Sequence, residues 1–234
     1  MGKKMIVRTI VQFAALIIMI MPSDSAFADD YEDGVAAYEE KDYETAFSKF
    51  RKAAEQEYAS AQYALGHMYR YGEGVPKDAK QVVYWYTKSA EQGNLKAQFS
   101  LGVMYGNGYG VPEDAKQAIY WYTKAAEQGD AAAQFYLGNM YGNGNGIPRN
   151  YKQAIYWYAK AVEQGNADAQ LNLGGMYRYG HGIPKDYVMA YMWLNLAAAK
   201  GNESARINLD NLEKEMTREQ IAEGQRLAHE WKPR

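Results

Sequence analysis

The chain has 234 residues, of which 47% are hydrophobic, and its net charge at pH 7 is −2. This apolar fraction excludes a chain that is disordered by composition, and a charge so close to zero gives no electrostatic reason to expect nucleic acid as a partner. Cysteine is absent, so the sequence offers neither a disulfide framework nor a thiol that could carry a lipid anchor. The 22 tyrosines and 22 glycines indicate instead a packing role and a backbone role that are each repeated along the chain.

Residues 1–28 have the pattern of a signal peptide. Three basic residues precede an apolar run over 10–21, and Ala26 and Ala28 have the spacing of a signal-peptidase site. The alternative is a retained membrane anchor, but the run is shorter than the ~20 residues that span a hydrocarbon core. We therefore predict cleavage after Ala28, which leaves a soluble protein in the bacterial periplasm or outside the cell.

Residues 29–60 are predicted to form a first helical hairpin. Gly34 and Tyr38 fall on its first helix, and Ala46, Phe50 and Ala53 fall on its second. Its connecting corner is shorter than the corners that follow and lacks their Gly-x-Gly-Val-Pro segment. This hairpin therefore begins the fold as an atypical terminal unit, as expected at the end of a repeat array.

Four ungapped copies of a 36-residue segment follow, over 61–96, 97–132, 133–168 and 169–204. In each copy, apolar residues at i, i+4, i+7 and i+8 predict an amphipathic helix, and the glycines of a Gly-x-Gly corner end it. An Asp or Asn after the corner proline can cap a second helix, and in the first copy Asp78 and Gln81 have the spacing of a capping box. Because a single hairpin cannot bury its own apolar face, the copies must stack.

Tryptophan occupies the same place in every copy, and we predict that it packs between neighbouring repeats. The alternative is an aromatic platform for a ligand, but strict repetition suits structure better than recognition. The four residues are Trp85, Trp121, Trp157 and Trp193.

Residues 205–234 are predicted to form capping helices at the C-terminal end. Ala205, Leu209 and Leu212 begin a further first helix, and Thr217, with Gln220 three residues later, begins a last one. The last helix mixes a few apolar residues with many charged ones, which suits a terminal unit with a polar outer surface.

The repeated pattern A-x-x-x-L-G-x-M-Y-x-x-G-x-G-[VI]-P resembles the Sel-one-like repeat (SLR) family, a branch of the tetratricopeptide-like superfamily, over 61–204. Residues 31–60 are more similar to an ordinary tetratricopeptide unit. Leu194 departs from the pattern where the other copies have tyrosine, and Val82 departs where they have alanine. The resemblance implies an all-α fold, a right-handed α-α superhelix built as a solenoid of helical hairpins with a concave inner face. It also implies a scaffolding role, in the bacterial envelope among other places.

The positions of the first helix that vary among the copies are the candidate binding surface. Positions three, four, seven and ten share one face of the helix, and the resemblance places the first helices on the concave side. A groove of mixed aromatic and polar character, with an arginine towards each end, is therefore predicted. The alternative left open is that these positions are only exposed, and that position three packs on a neighbouring helix. The candidate residues are Tyr63, His67, Arg70, Phe99, Val103, Phe135, Tyr136, Asn139, Leu171, Asn172 and Arg178.

The sequence contains no recognisable catalytic or metal-binding motif. The Gly-x-Gly corners lack the preceding strand of a dinucleotide site, and the histidines His67, His181 and His229 fall in different structural units. Some secreted relatives are described as β-lactamase-like, but they are cysteine-rich, and this chain has neither an S-x-x-K motif nor a K-T-G triplet. We therefore expect no catalytic residue, no cofactor and no metal.

Together these features predict a non-catalytic scaffold or adaptor of the bacterial envelope that binds one or more protein partners. A module that binds peptidoglycan or another carbohydrate is the alternative, because an aromatic concave face can stack on sugar rings. A β-lactamase-like hydrolase is less favoured. Nucleic acid is not expected as a partner.

Overall fold

The computed structural model describes residues 24–232, and their side chains from Ala28 onward. Most of the predicted signal peptide, residues 1–23, lies outside the described residues. The described part of the chain contains twelve α-helices and no strand. In chain order they are α1 (Asp24–Glu39), α2 (Tyr43–Glu55), α3 (Ala59–Tyr71), α4 (Ala79–Glu91), α5 (Leu95–Asn107), α6 (Ala115–Glu127), α7 (Ala131–Asn143), α8 (Tyr151–Glu163), α9 (Ala167–Tyr179), α10 (Tyr187–Ala199), α11 (Glu203–Glu213) and α12 (Arg218–Glu230).

The described residues form two compact units that divide between Asn94 and Leu95. In the N-terminal unit α1 packs on α2, α2 on α3, and α3 on α4. In the C-terminal unit each helix from α5 to α10 packs on the next one, and α12 packs on α10. Consecutive helices thus form hairpins, and the expected all-α solenoid of helical hairpins is confirmed.

Aspartate or asparagine caps the second helix of each copy, as predicted. The capping side chain accepts backbone N–H groups of the first helical turn at 2.9 to 3.2 Å. The first helices α7 and α9, and α11, are capped in the same way. The caps of the second helices are Asp78, Asp114, Asn150 and Asp186.

The capping box predicted at Asp78 and Gln81 is only half present. Asp78 accepts the Gln81 N–H at 3.2 Å, but the Asp78 N–H donates to the Tyr69 carbonyl of α3, also at 3.2 Å. Because that N–H already has a partner across the corner, it is not available to the Gln81 side chain. A complete capping box begins α12, between Thr217 and Gln220.

The second glycine of the Gly-x-Gly corner contacts the preceding hairpin. In the N-terminal unit a Cβ on Gly74 would lie 2.3 Å from the carbonyl oxygen of Tyr43, and in the C-terminal unit a Cβ on Gly182 would lie 2.4 Å from the Cβ of Tyr151. The φ angles are +68° at Gly74 and +72° at Gly182. The corner therefore needs glycine both for a left-handed backbone and for close approach between repeats, whereas the sequence predicted only the first.

A glycine of the first helix also provides the flat surface on which a ring of the second helix packs. A Cβ on Gly102 would lie 2.5 Å from the ring of Tyr122, which is 2% exposed. Gly34 of the first hairpin faces the ring of Phe50 in the same way, and a Cβ added at Gly34 would lie 2.7 Å from that ring. The first hairpin thus has the internal packing of the later ones despite its shorter corner.

The recurring tryptophan packs against the preceding hairpin, which confirms its predicted structural role where the neighbours are described. Trp157 belongs to the core formed by α6 and α7, and Trp193 belongs to the core formed by α8 and α9. Both side chains are 8% exposed. Trp85 is half-buried against the core of α1 to α3.

Candidate functional site

The candidate residues of the N-terminal unit belong to an aromatic cluster. Tyr63 stacks on Tyr86 of α4, with ring centroids 5.2 Å apart. His67 Nδ1 lies 3.6 Å from a carboxylate oxygen of Glu73, and burial lowers the pKa of its imidazole. Arg70, in contrast, is exposed. Tyr63 and His67 are therefore engaged in packing, and Arg70 is the most accessible of the three to a partner.

Phe99 and Phe135, the third residues of their repeats, are half-buried. The ring centroid of Phe99 lies 5.8 Å from that of Tyr122, and the ring centroid of Phe135 lies 6.3 Å from that of Tyr158. Each tyrosine is on the second helix of the same repeat as its phenylalanine. Position three thus packs on a neighbouring helix, which is the structural alternative that the sequence left open. A loss of binding after substitution of either phenylalanine would not separate recognition from folding.

Tyr136 is the most exposed aromatic candidate of the C-terminal unit, with 39% of its surface accessible. Its ring stacks on Tyr122 of the preceding hairpin, with centroids 5.3 Å apart and planes 6° from parallel. One face of the ring is therefore covered, and the rest of the side chain is open to solvent. The aliphatic candidates Val103 and Leu171 are half-buried against the neighbouring cores.

Two asparagines and a tyrosine form a hydrogen-bonded polar group on this face. The Tyr158 hydroxyl donates to Asn139 Oδ1 at 2.7 Å. Asn172 Nδ2 donates to the same oxygen at 2.8 Å and to the Tyr158 oxygen at 3.1 Å. Burial raises the pKa of Tyr158 to about 12, so the phenol remains protonated and can donate at neutral pH. The structure therefore brings together Asn139 and Asn172, two of the predicted candidates.

Arg178 lies beside this group, but its charge is neutralised. Its Nη2 is 2.6 Å from Glu215 Oε1, and only 12% of its side chain is exposed. Glu215 also accepts from the Tyr187 hydroxyl at 2.7 Å. The arginine predicted towards this end of the groove is thus part of an ion pair that joins α9 to the turn after α11, rather than a free cation.

Two adjoining cavities open along these residues within the C-terminal unit. The larger, of about 480 Å³, is lined by the candidates Asn139, Leu171, Asn172 and Arg178. The smaller, of about 430 Å³, is lined by Tyr136 and Asn139. No acidic residue lines the larger cavity. The variable face of α7 and α9 is thus a concave surface on which amide groups predominate among the polar side chains.

Some lining residues were not in the predicted set. Asn143 and Tyr179 occupy the eleventh position of their copies, which lies one turn beyond position seven on the same face. Extending the comparison of copies by one turn would have found them. Tyr158 and Asn208 lie on other helices, and the pattern of the first helices carries no signal for them.

Within residues 24–232, no group of three or more His, Cys, Asp or Glu side chains could hold a metal ion. None of the helices in that range is long and apolar enough to cross a bilayer.

Comparison with known proteins identifies the repeat. The family model described as Sel1 repeat matches residues 31–58, 59–94, 95–130, 131–166 and 167–202. The match includes the first hairpin, residues 31–58, which the sequence pattern had likened to an ordinary tetratricopeptide unit. None of the curated proteins compared with the chain matches it.

Two solved structures are similar to the chain at high identity. A protective antigen of uropathogenic Escherichia coli, which displays an SLR fold, is 41% identical with a TM-score of 0.70, and the match covers 79% of this chain but only 40% of the antigen. A Sel1 repeat protein from Oxalobacter formigenes is 37% identical with a TM-score of 0.72, over 77% of this chain and 74% of that one. Since the repeat matches extend over most of the sequence, the chain belongs to the Sel1 repeat family, whose solenoids generally serve as protein-interaction scaffolds.

Proposed function

We propose that the chain is a non-catalytic protein-binding scaffold or adaptor of the bacterial envelope, and that its partner binds on the variable face of the first helices. The observation that carries this proposal is the contrast between positions of one helix. In α7 the shared residues Ala133 and Leu137 are buried and line neither cavity, whereas the variable Tyr136 and Asn139 line the cavities. Repeat solenoids present such concave surfaces to their partners.

Site-specific crosslinking tests the proposed face. A photoreactive phenylalanine analogue at Tyr136 should capture a protein in the cell, because Tyr136 is partly exposed and lines a cavity. Tyr156 of α8 is a matched control, since it is also a tyrosine, is 50% exposed and lines neither of these cavities. Capture from Tyr156 but not from Tyr136 would place the binding surface elsewhere.

The two alternative functions are tested with the purified protein. If the chain binds cell-wall glycan, it should sediment with sacculi from which other proteins have been removed. If it is a hydrolase, it should turn over a chromogenic β-lactam, and a variant of the cavity residues should lose that turnover. Either result would replace the proposed function.

The envelope location rests on the N-terminal pattern over residues 1–28. We expect the protein recovered from the periplasm or the culture medium to begin at Asp29, as measured by intact mass. A chain that retains its first residues and stays in the cytoplasm would show that the proposed location is wrong.

A further inference from the structure

Three Asn-Gly dipeptides lie at the corners of the second and third copies, and each is preceded by a further glycine. Asparagine followed by glycine is prone to spontaneous deamidation, because the glycine has no side chain to hinder attack by its backbone nitrogen. Since the local sequence Gly-Asn-Gly is the same at all three, the sequence alone predicts similar reactivity. The asparagines are Asn107, Asn143 and Asn145.

The structure restrains two of the three. Asn143 is the last residue of α7, and the Gly144 nitrogen that would have to attack it donates its N–H to the Met140 carbonyl at 3.0 Å. Asn107 is the last residue of α5, and its Nδ2, which would have to leave, donates to the Val103 carbonyl at 2.9 Å. Each of these hydrogen bonds must break before the reaction, which raises its barrier.

Asn145 has neither restraint. It lies in the corner between α7 and α8 and is exposed. In the described part of the chain no group bonds to its side-chain amide, and none accepts from the Gly146 N–H. The other copies have Glu73, Tyr109 and His181 at the equivalent position, so only the third copy has a reactive pair there.

We propose that Asn145 is a site of spontaneous deamidation, and that it reacts faster than Asn107 and Asn143. The Gly146 nitrogen attacks Cγ of Asn145, and the new N–Cγ bond replaces the Cγ–Nδ2 bond. The side-chain nitrogen leaves as ammonia, taking the proton of the Gly146 N–H. The resulting succinimide then takes up a water molecule. Opening at Cγ gives aspartate, and opening at the main-chain carbonyl gives isoaspartate, whose backbone runs through the former side chain.

Either product changes the surface around the smaller cavity, although the reaction itself depends on no partner. Asn145 lines this cavity together with Glu113, so a new carboxylate makes the cavity more acidic. Isoaspartate also lengthens the main chain by a methylene group just before Gly146, where an added Cβ would lie 2.5 Å from the Cβ of Ala115. Because Gly146 touches the preceding hairpin at this point, isoaspartate should loosen the junction between the second and third copies.

Peptide mapping of the purified protein after incubation in warm, mildly alkaline buffer tests the reactivity. The mass spectrometry needs fragmentation that separates Asn143 from Asn145. Aspartate and isoaspartate should form at Asn145 about fivefold faster or more than at Asn107 or Asn143, which is the factor that one hydrogen bond corresponds to in a barrier. The same chain unfolded in urea is the control, since all three sites should then react at similar rates. If Asn145 is not the fastest site in the folded protein, or if its lead persists in urea, the inference is wrong.

Urea unfolding after the same incubation tests the effect on the fold. Aged wild-type protein should unfold at a lower urea concentration than fresh protein. Asn145→Ser cannot form the succinimide at this position, so its midpoint should stay higher than that of the aged wild type. Fresh Asn145→Asp carries the new charge without the longer main chain and should lose less stability than the isoaspartate form. Aged wild-type protein that contains isoaspartate at Asn145 and still unfolds like Asn145→Ser would show that the junction is not loosened.

Discussion

A glutamine near the start of the first helix is buried in all four 36-residue copies. In the third copy Gln134 Nε2 donates to the Ala126 carbonyl at 3.2 Å, and Gln134 Oε1 accepts from Gln164 Nε2 at 2.9 Å. Both ends of this buried amide are thus satisfied. In the fourth copy Lys200 stands in the place of Gln164, and neither end of the Gln170 amide has a partner.

Lys200→Gln should therefore stabilise the protein. A glutamine there can donate to Gln170, and pairing one end of a buried amide is worth about 1 kcal/mol. The exposed bond from Lys200 to the Gly165 carbonyl is lost, but an exposed contact of this kind contributes little. The free energy of unfolding in urea measures the gain. Lys200→Ala loses the same exposed bond without supplying an amide, so an equal rise in both variants would show that Gln170 is not the cause.

Asp30 of α1 is a buried carboxylate that links α1 to α2. Lys52 Nζ lies 2.7 Å and Lys49 Nζ 3.2 Å from its oxygens. The hydrogen bond from Lys52, helped by Lys49, lowers the pKa of Asp30 below its ordinary value of 3.8, against the opposing effect of burial. Because the folded-state pKa is the lower one, the stabilisation is complete above the unfolded value of 3.8 and is lost as the pH falls through the folded value.

Asp30→Asn should thus destabilise the fold at neutral pH, and the difference from wild type should shrink in acid. Urea unfolding at a series of values between about pH 7 and pH 2 measures this dependence. Asp33→Asn is the control, since Asp33 is exposed and pairs only with Lys49, so its effect should be smaller. A difference that stays constant in acid would show that the charge of Asp30 does not carry the effect.

At the scale of the element, the Gly-x-Gly corner joins two helices and also positions the hairpin against its neighbour. Gly182→Ala should destabilise the protein for two reasons. Its φ of +72° costs an L-residue about 1–2 kcal/mol, and the added methyl group would lie 2.4 Å from the Cβ of Tyr151. Gly201→Ala isolates the first cost, because Gly201 has a φ of +84° and open space around it. In urea unfolding Gly182→Ala should cost more than Gly201→Ala by about 1 kcal/mol or more; equal losses would mean that the corner does not hold neighbouring repeats together.

Across the whole molecule, the sequence predicted what depends on local residues or on the repeat spacing. The hairpins, the caps such as Asp114 and the packing of Trp157 follow from patterns that recur at fixed intervals. Contacts between different helices and corners could not be predicted, because the apolar pattern of one helix does not indicate which backbone groups of another element lie opposite it. The Asp78 N–H that bonds to Tyr69 is one such contact.

The candidate site, too, was predicted only in part. Variation among the copies indicated Asn139 and Asn172, which do lie together. Tyr158 was missed because a residue repeated in three copies reads as core, and its ring is indeed buried, but its hydroxyl reaches the variable face. Arg178 was expected to face a partner, and its pairing with Glu215 depends on the closing helices, which do not repeat.

The end of the array depends on how α12 covers α10. Gly224 of α12 lies against the ring of Tyr191, so that an added Cβ would be 2.7 Å from a ring carbon. Trp231 then packs edge-on against Trp193, with ring centroids 5.6 Å apart. Gly224→Leu should push α12 away from α10 and cost about 1–3 kcal/mol. Gly175→Leu serves as the control, because a Cβ added at Gly175 would meet no atom within 4 Å.

Because each repeat of a solenoid is stabilised mainly by its neighbours, the damage should stay local. Amide hydrogen exchange, followed by mass spectrometry, should show that α10 and α12 of the Gly224→Leu variant lose protection first. The helices α5 and α6, two repeats before α10 in the same unit, should keep theirs. If protection instead falls equally in α5, α6 and α10, the C-terminal unit unfolds as one cooperative body, and α12 stabilises all of it rather than the last repeat alone.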